Sequence, residues 1–286
     1  MKVQRIQGSS LIELVMVIVL VGILAVLGAQ SISQPVFSFI ENARRAALTD
    51  AAASALLRMS RDIRSALPNS IRITGDALEL LAVVDGERYR TDPPGSNDAR
   101  LSFTGLDDSF NTLGLLGPLN PVGGPAVSYA SHRLAIYPLG QSGADPYQAD
   151  ANPAVDAVMT RAQTITVDDT TAPSPPGTVI EYRITLADDH RFPFESPAQR
   201  VFLVSGPVSY ICSGTQLLRY EAYALAGVQP VPPGVTPSLV ADQVQSCSFS
   251  YQAVGQRLAL VTLVLELESD GEFVRLLRQV QVDNTP

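Results

Sequence analysis

Nineteen consecutive residues, Leu11 to Ala29, carry one charge between them, Glu13. As a helix the run is about 28 Å long, close to the ~30 Å hydrocarbon core of a bilayer. A segment this apolar cannot face water alone. The preceding MKVQRIQG holds Lys2 and Arg5 and no acid. Basic residues before an apolar span favour a cytoplasmic N-terminus, with the C-terminal bulk across the membrane. A secretory signal is the alternative, but its apolar core is typically ~7–15 residues. That alternative also leaves Glu13 unexplained.

A carboxylate in a membrane helix costs roughly 2.5–3.5 kcal/mol at the centre and less near an interface, so it usually has a partner. No Lys, Arg or His follows Glu13 until Arg44, and Arg5 upstream could pair only weakly. Cutting the chain after Gly8 would create a cationic α-amino group on Ser9, four residues before Glu13. On a helix that spacing puts the two on adjacent turns of one face. The amine could serve its own Glu13 or that of a neighbouring copy.

The segment Gly8-Ser9-Ser10-Leu11-Ile12-Glu13-Leu14-Val15, followed by an apolar helix, resembles the leader and helix start of type IV prepilins. The resemblance implies that a prepilin peptidase cuts between Gly8 and Ser9. It implies N-methylation at Ser9 and an assembly role for Glu13 in the helix bundle. Ser9 departs from the phenylalanine usual in the family, which bears on methylation. Prolines common in family helices are absent until Pro35. The stretch Leu57–Ile73 is similar to the helix exit of large minor pilins. The nearest group is the O-type biogenesis proteins of the mannose-sensitive haemagglutinin pilus, with J-type minor pseudopilins of type II secretion as neighbours. The resemblance implies these partners: other pilin or pseudopilin subunits, the prepilin peptidase, the bacterial inner membrane and the pilus assembly platform. It implies a periplasmic head.

Beyond the apolar run, Leu48, Ala52, Leu56, Met59, Ile63 and Leu67 recur at spacings of three and four and mark one helix face. Arg44, Arg45, Arg58, Arg61 and Arg64 fall largely on the other, as a solvated face or a contact to partner subunits. Pro68 ends the pattern. A helix from Ser10 to Ala66 would be ~85 Å long, with a kink expected at Pro35. The expected organisation is a leader over 1–8, a helix over 9–67 spanning the membrane at about 11–30, and a β-rich head over 68–286.

In the head, short alternating runs predict strands at 70–73, 77–84, 133–137, 179–186, 200–204, 208–212, 216–223, 247–254, 257–267 and 272–282. Gly75-Asp76, Gly255-Gln256 and Asp270-Gly271 read as hairpin turns. The last three strands predict an antiparallel meander laid on the amphipathic half of the helix, an α+β, pilin-like arrangement. Residues 92–131 and 138–178, rich in Pro, Gly, Asp, Ser and Asn, read as long loops. Cys212 and Cys247, 35 positions apart on the expected oxidising side, predict a disulfide, with two buried thiols as the alternative.

Composition narrows the functions. The net charge of −8 disfavours nucleic acid as a partner. Lys2 is the only lysine, which excludes a Schiff-base or phosphate-loop lysine in the head. Gly140-Gln141-Ser142-Gly143-Ala144 falls one glycine short of a nucleophile elbow, and its partners would have to come from Asp188, Asp189 and His190. His132 and His190 lack metal-ligand spacing. Asp145, Asp150, Asp156, Asp168 and Asp169 lack the order of a calcium loop. The expectation is a non-enzymatic subunit without metal or cofactor. A tip adhesin or receptor using the long loops, and an anchored hydrolase using Ser142, are the competing readings.

Overall fold

A computed structural model describes residues 10–91, 100–117, 125–150, 157–169, 181–254 and 257–286, with the backbone alone over 29–37. One helix, α1 (Leu11–Arg64), runs 54 residues. The helix continues through Pro35 without a break. Glu13 in the first turn and Arg61 and Arg64 in the last have the signs that the helix dipole favours. The middle is rich in alanine, the strongest helix former.

The two halves of α1 meet different surroundings. No residue of Leu11–Gly28 is buried, and this segment is long and apolar enough to cross a membrane. In the second half Leu48, Ala52, Ala55, Leu56, Met59 and Ile63 are each at most 3% exposed. Burying such side chains is worth about 1.5–3 kcal/mol for each large one. The predicted face is therefore the packed one.

Among the described residues twelve strands follow: β1 (Arg72–Thr74), β2 (Ala77–Arg88), β3 (Asp107–Thr112), β4 (Val127–Ala135), β5 (Gln163–Asp169) and β6 (Tyr182–His190); then β7 (Arg200–Ser213), β8 (Gln216–Tyr220), β9 (Ser238–Ala241), β10 (Val244–Val254), β11 (Leu258–Ser269) and β12 (Glu272–Asp283). All the pairings are antiparallel. The larger sheet runs β1-β2-β7-β4-β5-β6-β3, with β8 and β9 added beyond β7. The smaller is the meander β10-β11-β12.

The β2–β7 ribbon organises the head. It pairs from Ala77↔Ile211 to Arg88↔Arg200, with irregularities around Ala82, Val83 and Asp85. The far edge of β7 is divided: its C-terminal half pairs with β8 and its N-terminal half with β4. One end of the ribbon thus belongs to a helix-backed lobe and the other to a distal lobe. In the first, a single apolar cluster joins Leu56, Met59 and Ile63 of α1 to Leu80, Tyr210 and the inner faces of β10–β12. In the second, Phe110, Leu134, Ile165, Ile184, Phe192 and Leu203 form a separate cluster.

The structure corrects several sequence expectations. The stretches 92–131 and 138–178 are not simply loops. They contain β3, the start of β4, β5 and a short 3-10 turn, Pro146–Gln148. β3 reads DDSFNT, too polar to announce a strand, and finds its partner in β6, some seventy residues on. β5 is internal to the sheet, but it has only seven residues between polar flanks. The runs at 200–204 and 208–212 are one strand, continued across Ser205 and Gly206 by a bulge at which Gly206 adopts φ 137°. β9 was not expected at all. Gly255-Gln256 lies outside the described residues. The other two turns hold: Gly75 has φ 58°, and Asp270 and Gly271 have φ 48° and 85°, the type I′ pattern.

Candidate assembly site

The predicted cleavage and methylation positions, Gly8 and Ser9, lie outside the described residues, so the Ser9–Glu13 pairing is an expectation that the structure does not address. Glu13 is exposed in the first turn of α1. There its backbone N–H, with that of Leu14, bonds the Ser10 carbonyl at 3.0 and 3.1 Å. Around it Leu11, Ile12, Leu14 and Val15 are 50–80% exposed. The acid therefore stands at the end of a bare apolar rod, where the helix dipole lowers the cost of its charge.

The helix arginines divide. Arg44 reaches Asp270 at 3.0 Å and Arg45 reaches Glu272 at 2.7 Å, so both tie α1 to the β11–β12 turn. Arg58, Arg61 and Arg64 are exposed and have no ion pair among the described residues. A buried-side clamp that the sequence did not announce fixes the end of the helix. Asp62 Oδ2 accepts from Tyr210 Oη at 2.7 Å and from Arg219 Nε at 2.9 Å. Burial and then the Asp62 charge push the Tyr210 phenol well above its usual range. The chain leaves the helix through backbone bonds to β2: Leu67 N–H donates to the Leu81 carbonyl at 2.8 Å, and Val83 N–H to the Ser65 carbonyl at 3.1 Å.

Cys212 and Cys247 are disulfide-bonded, with Cα atoms 6.5 Å apart. The bond joins β7 of the large sheet to β10 of the small one. Closing a loop of this size is worth about 3–4 kcal/mol in the chain-entropy account.

A second polar network was equally illegible. Glu79, 1% exposed, pairs with Arg72 and accepts from Tyr223 Oη at 2.7 Å. Arg72 also donates to the Gly227 and Ala226 carbonyls at 2.7 and 2.9 Å and stacks 3.6 Å from the Tyr147 ring. Burial, reinforced by Glu79, holds Tyr147 and Tyr223 protonated. The network pins the 222–237 segment to the sheet. Pairs of this kind rest on residues far apart in sequence, and neither spacing nor composition announces them.

The alternative chemistries fare as follows. Ser142 is exposed in a turn closed by the Leu139 and Gly140 N–H groups on the Ala144 carbonyl, at 3.0 and 3.1 Å. It is not a strand-to-helix elbow, and Ser142 makes no side-chain hydrogen bond among the described residues. Asp188 and Asp189 are exposed on β6, while His190 is buried with Nε2 2.8 Å from the Ala157 carbonyl and its ring edge-on to Phe192. His132 is half-buried, with Nδ1 2.7 Å from the Ala130 carbonyl. Asp145 accepts from Tyr147 N–H at 3.0 Å, and Asp150 grips Arg133 with both oxygens at 2.8 and 2.6 Å. Asp168 and Asp169 end β5, and Asp156 lies outside the described residues. Among the described residues no group of three His, Cys, Asp or Glu is placed to hold a metal.

No family model, curated protein or solved structure matches this chain. The functional reading therefore rests on its own residues and geometry.

Proposed function

We propose that this chain is a minor pilin or pseudopilin: a structural subunit, cut after Gly8, that joins a type IV pilus-like filament of the mannose-sensitive haemagglutinin kind. One observation carries the reading. The helix has an apolar segment, Leu11–Gly28, with no buried residue and a later face buried on a β-rich head, with one acid, Glu13, at the start of the exposed segment. A rod of this kind needs a bilayer before assembly and partner helices after it. The new Ser9 amine would neutralise Glu13 of its own or a neighbouring chain. The head would stand in the periplasm, with the helix in the inner membrane.

N-terminal sequencing and intact mass of membrane-extracted protein test the reading. The expected product begins at Ser9 and carries the disulfide, and a methyl group if the peptidase also modifies serine. A product starting beyond residue 28 would make Leu11–Gly28 a signal sequence and end the proposal. Glu13→Val should still be cleaved and inserted yet enter filaments poorly. Incorporation at the wild-type level would remove the carboxylate from assembly. Gene deletion separates the two filament systems: loss of surface pili supports a pilin, and loss of protein secretion supports a J-type pseudopilin.

A further inference from the structure

The strand edges of the head are not protected alike. Among the described residues the larger sheet ends on β1, β3 and β9. β1 and β9 have three and four residues. β3 reads DDSFNT, and its register shifts between Asp107 and Ser109. Short length, charge and bulges all blunt an edge against pairing with another chain. The smaller sheet ends on β10, which the disulfide ties to β7, and on β12.

β12 lacks most of these devices. Its twelve residues pair with β11 without a bulge and include no proline and no lysine. Arg278, half-buried on the face that packs on α1, is a partial guard. The strand is about 40 Å long.

The hairpin turn fixes which of its backbone groups are unpaired. Asp270-Gly271 is a two-residue type I′ turn, so Ser269 and Glu272 exchange both backbone hydrogen bonds. Pairing alternates from there. Phe273, Arg275, Leu277, Gln279 and Gln281 turn their N–H and C=O groups away from β11, and these groups have no hydrogen-bond partner among the described residues. All five residues are exposed, Phe273 at 57% and Leu277 at 63%. Donors and acceptors repeating at every second residue, about 6.8 Å apart, are complementary to another extended backbone.

The fold also limits whose backbone it is. α1 runs beside β12 in the same direction: Arg45 meets Glu272 at one end, and Asn69, just past the helix, donates to the Asn284 carbonyl at the other. Antiparallel pairing of two β12 edges needs a two-fold axis normal to the sheet. That axis reverses α1 and sends the two Leu11–Gly28 segments in opposite directions, so one membrane could not hold both. Parallel pairing of the same edge needs a one-residue offset, which no two-fold axis provides. The other edges of a second copy are the short or bulged ones.

We propose that the free edge of β12 accepts an added strand from a different polypeptide, an extended segment with apolar side chains at alternate positions. Its main chain would pair with the five outward residues, and its apolar side chains would lie beside Phe273 and Leu277. The proposal rests on the membrane-anchor reading of Leu11–Gly28 only where it excludes a second copy. N-terminal sequencing judges that reading separately.

The test uses the intact chain in detergent micelles. The probe is a peptide of alternating valine and threonine with an arginine at each end. Amide exchange is followed residue by residue by NMR. In the free chain the N–H groups of the five outward residues should exchange fast, and those of the residues between them slowly. Peptide at about 1 mM should slow the fast set about ten-fold, for a Kd on the order of 0.1 mM. The same peptide with every amide N-methylated should leave exchange unchanged. Gln279→Pro removes one outward donor and leaves the β11 ladder whole, so it should weaken binding about five-fold. Leu277→Ser, which keeps the backbone intact, should weaken it about three-fold. Slow exchange of the outward set without peptide, no slowing with peptide, or undiminished binding by both variants would overturn the proposal. So would a homodimer joined through Leu277→Cys in native membranes, because a second copy would then fill the edge.

Discussion

The two lobes share the β2–β7 ribbon but are built on opposite principles. The helix-backed lobe uses neighbours in sequence: β10, β11 and β12 pair in order, and the β11–β12 register is unbroken over twelve pairs. It adds the α1 face and the disulfide. The distal lobe pairs β3 with β6 and β4 with β7, partners some seventy residues apart. Among the described residues it has no α-helix behind it, and it holds its segments with side chains such as Arg133 on Asp150. Local pairing closes short loops and is entropically cheap, whereas the distal lobe must bring remote segments together first. The three-strand meander is thus built to form readily, whereas the α1 face joins it across a sequence separation of 227 residues at Arg45 and Glu272.

Ile63→Asp would break the comparison most severely. A lone carboxylate at a fully buried position should cost more than about 4 kcal/mol, and no folded head should be recovered from membranes. Phe110→Ala, in the distal core, should cost about 3–5 kcal/mol. Hydrogen exchange should then rise in β3–β6 and leave α1 and β10–β12 protected. Equal loss of protection in both lobes would show that the ribbon makes them one cooperative unit. Removing both cysteines (Cys212→Ala with Cys247→Ala) should lower stability by about 3–4 kcal/mol, read as a lower denaturant midpoint for the helix-backed lobe first.

Alkali sharpens the contrast more gently. Tyr147, Tyr210 and Tyr223 have folded-state pKa values raised by burial above the unfolded value near 10. Their contribution to stability is complete below that pH and falls as pH rises towards the folded values. Tyrosinate absorbance should therefore appear for exposed tyrosines first and for these three only with unfolding. Smallest of all, Arg44→Gln with Arg45→Gln should cost no more than about 1 kcal/mol, less in high salt, because both pairs are surface contacts.

What could be read in the sequence follows the same division. Six positions at helical spacing, Leu48 through Leu67, are all buried. Asp270-Gly271 and its flanking alternation announced the last hairpin, and the two cysteines announced their bond. These features are local, or rest on residue types rare enough to pair by elimination. The distal lobe was opaque because β3 and β5 become strands only through partners supplied by tertiary structure. At the candidate sites, Glu13 stood out as a lone acid in an apolar run. Asp62 and Glu79 gave no sign, since a clamp exists only once distant segments have met.

The exit of α1 has a mechanical consequence. The helix is fastened near its base by Arg44 and Arg45, at its end by Asp62, and immediately afterwards by backbone bonds from 65–67 to β2. A pull along the rod reaches the head through several attachments arranged in series along one line. They would slide against each other together and would not peel apart singly. Tension on the stalk is thus carried into the β11–β12 turn and the β2–β7 ribbon before the outer strands β3–β6 feel it.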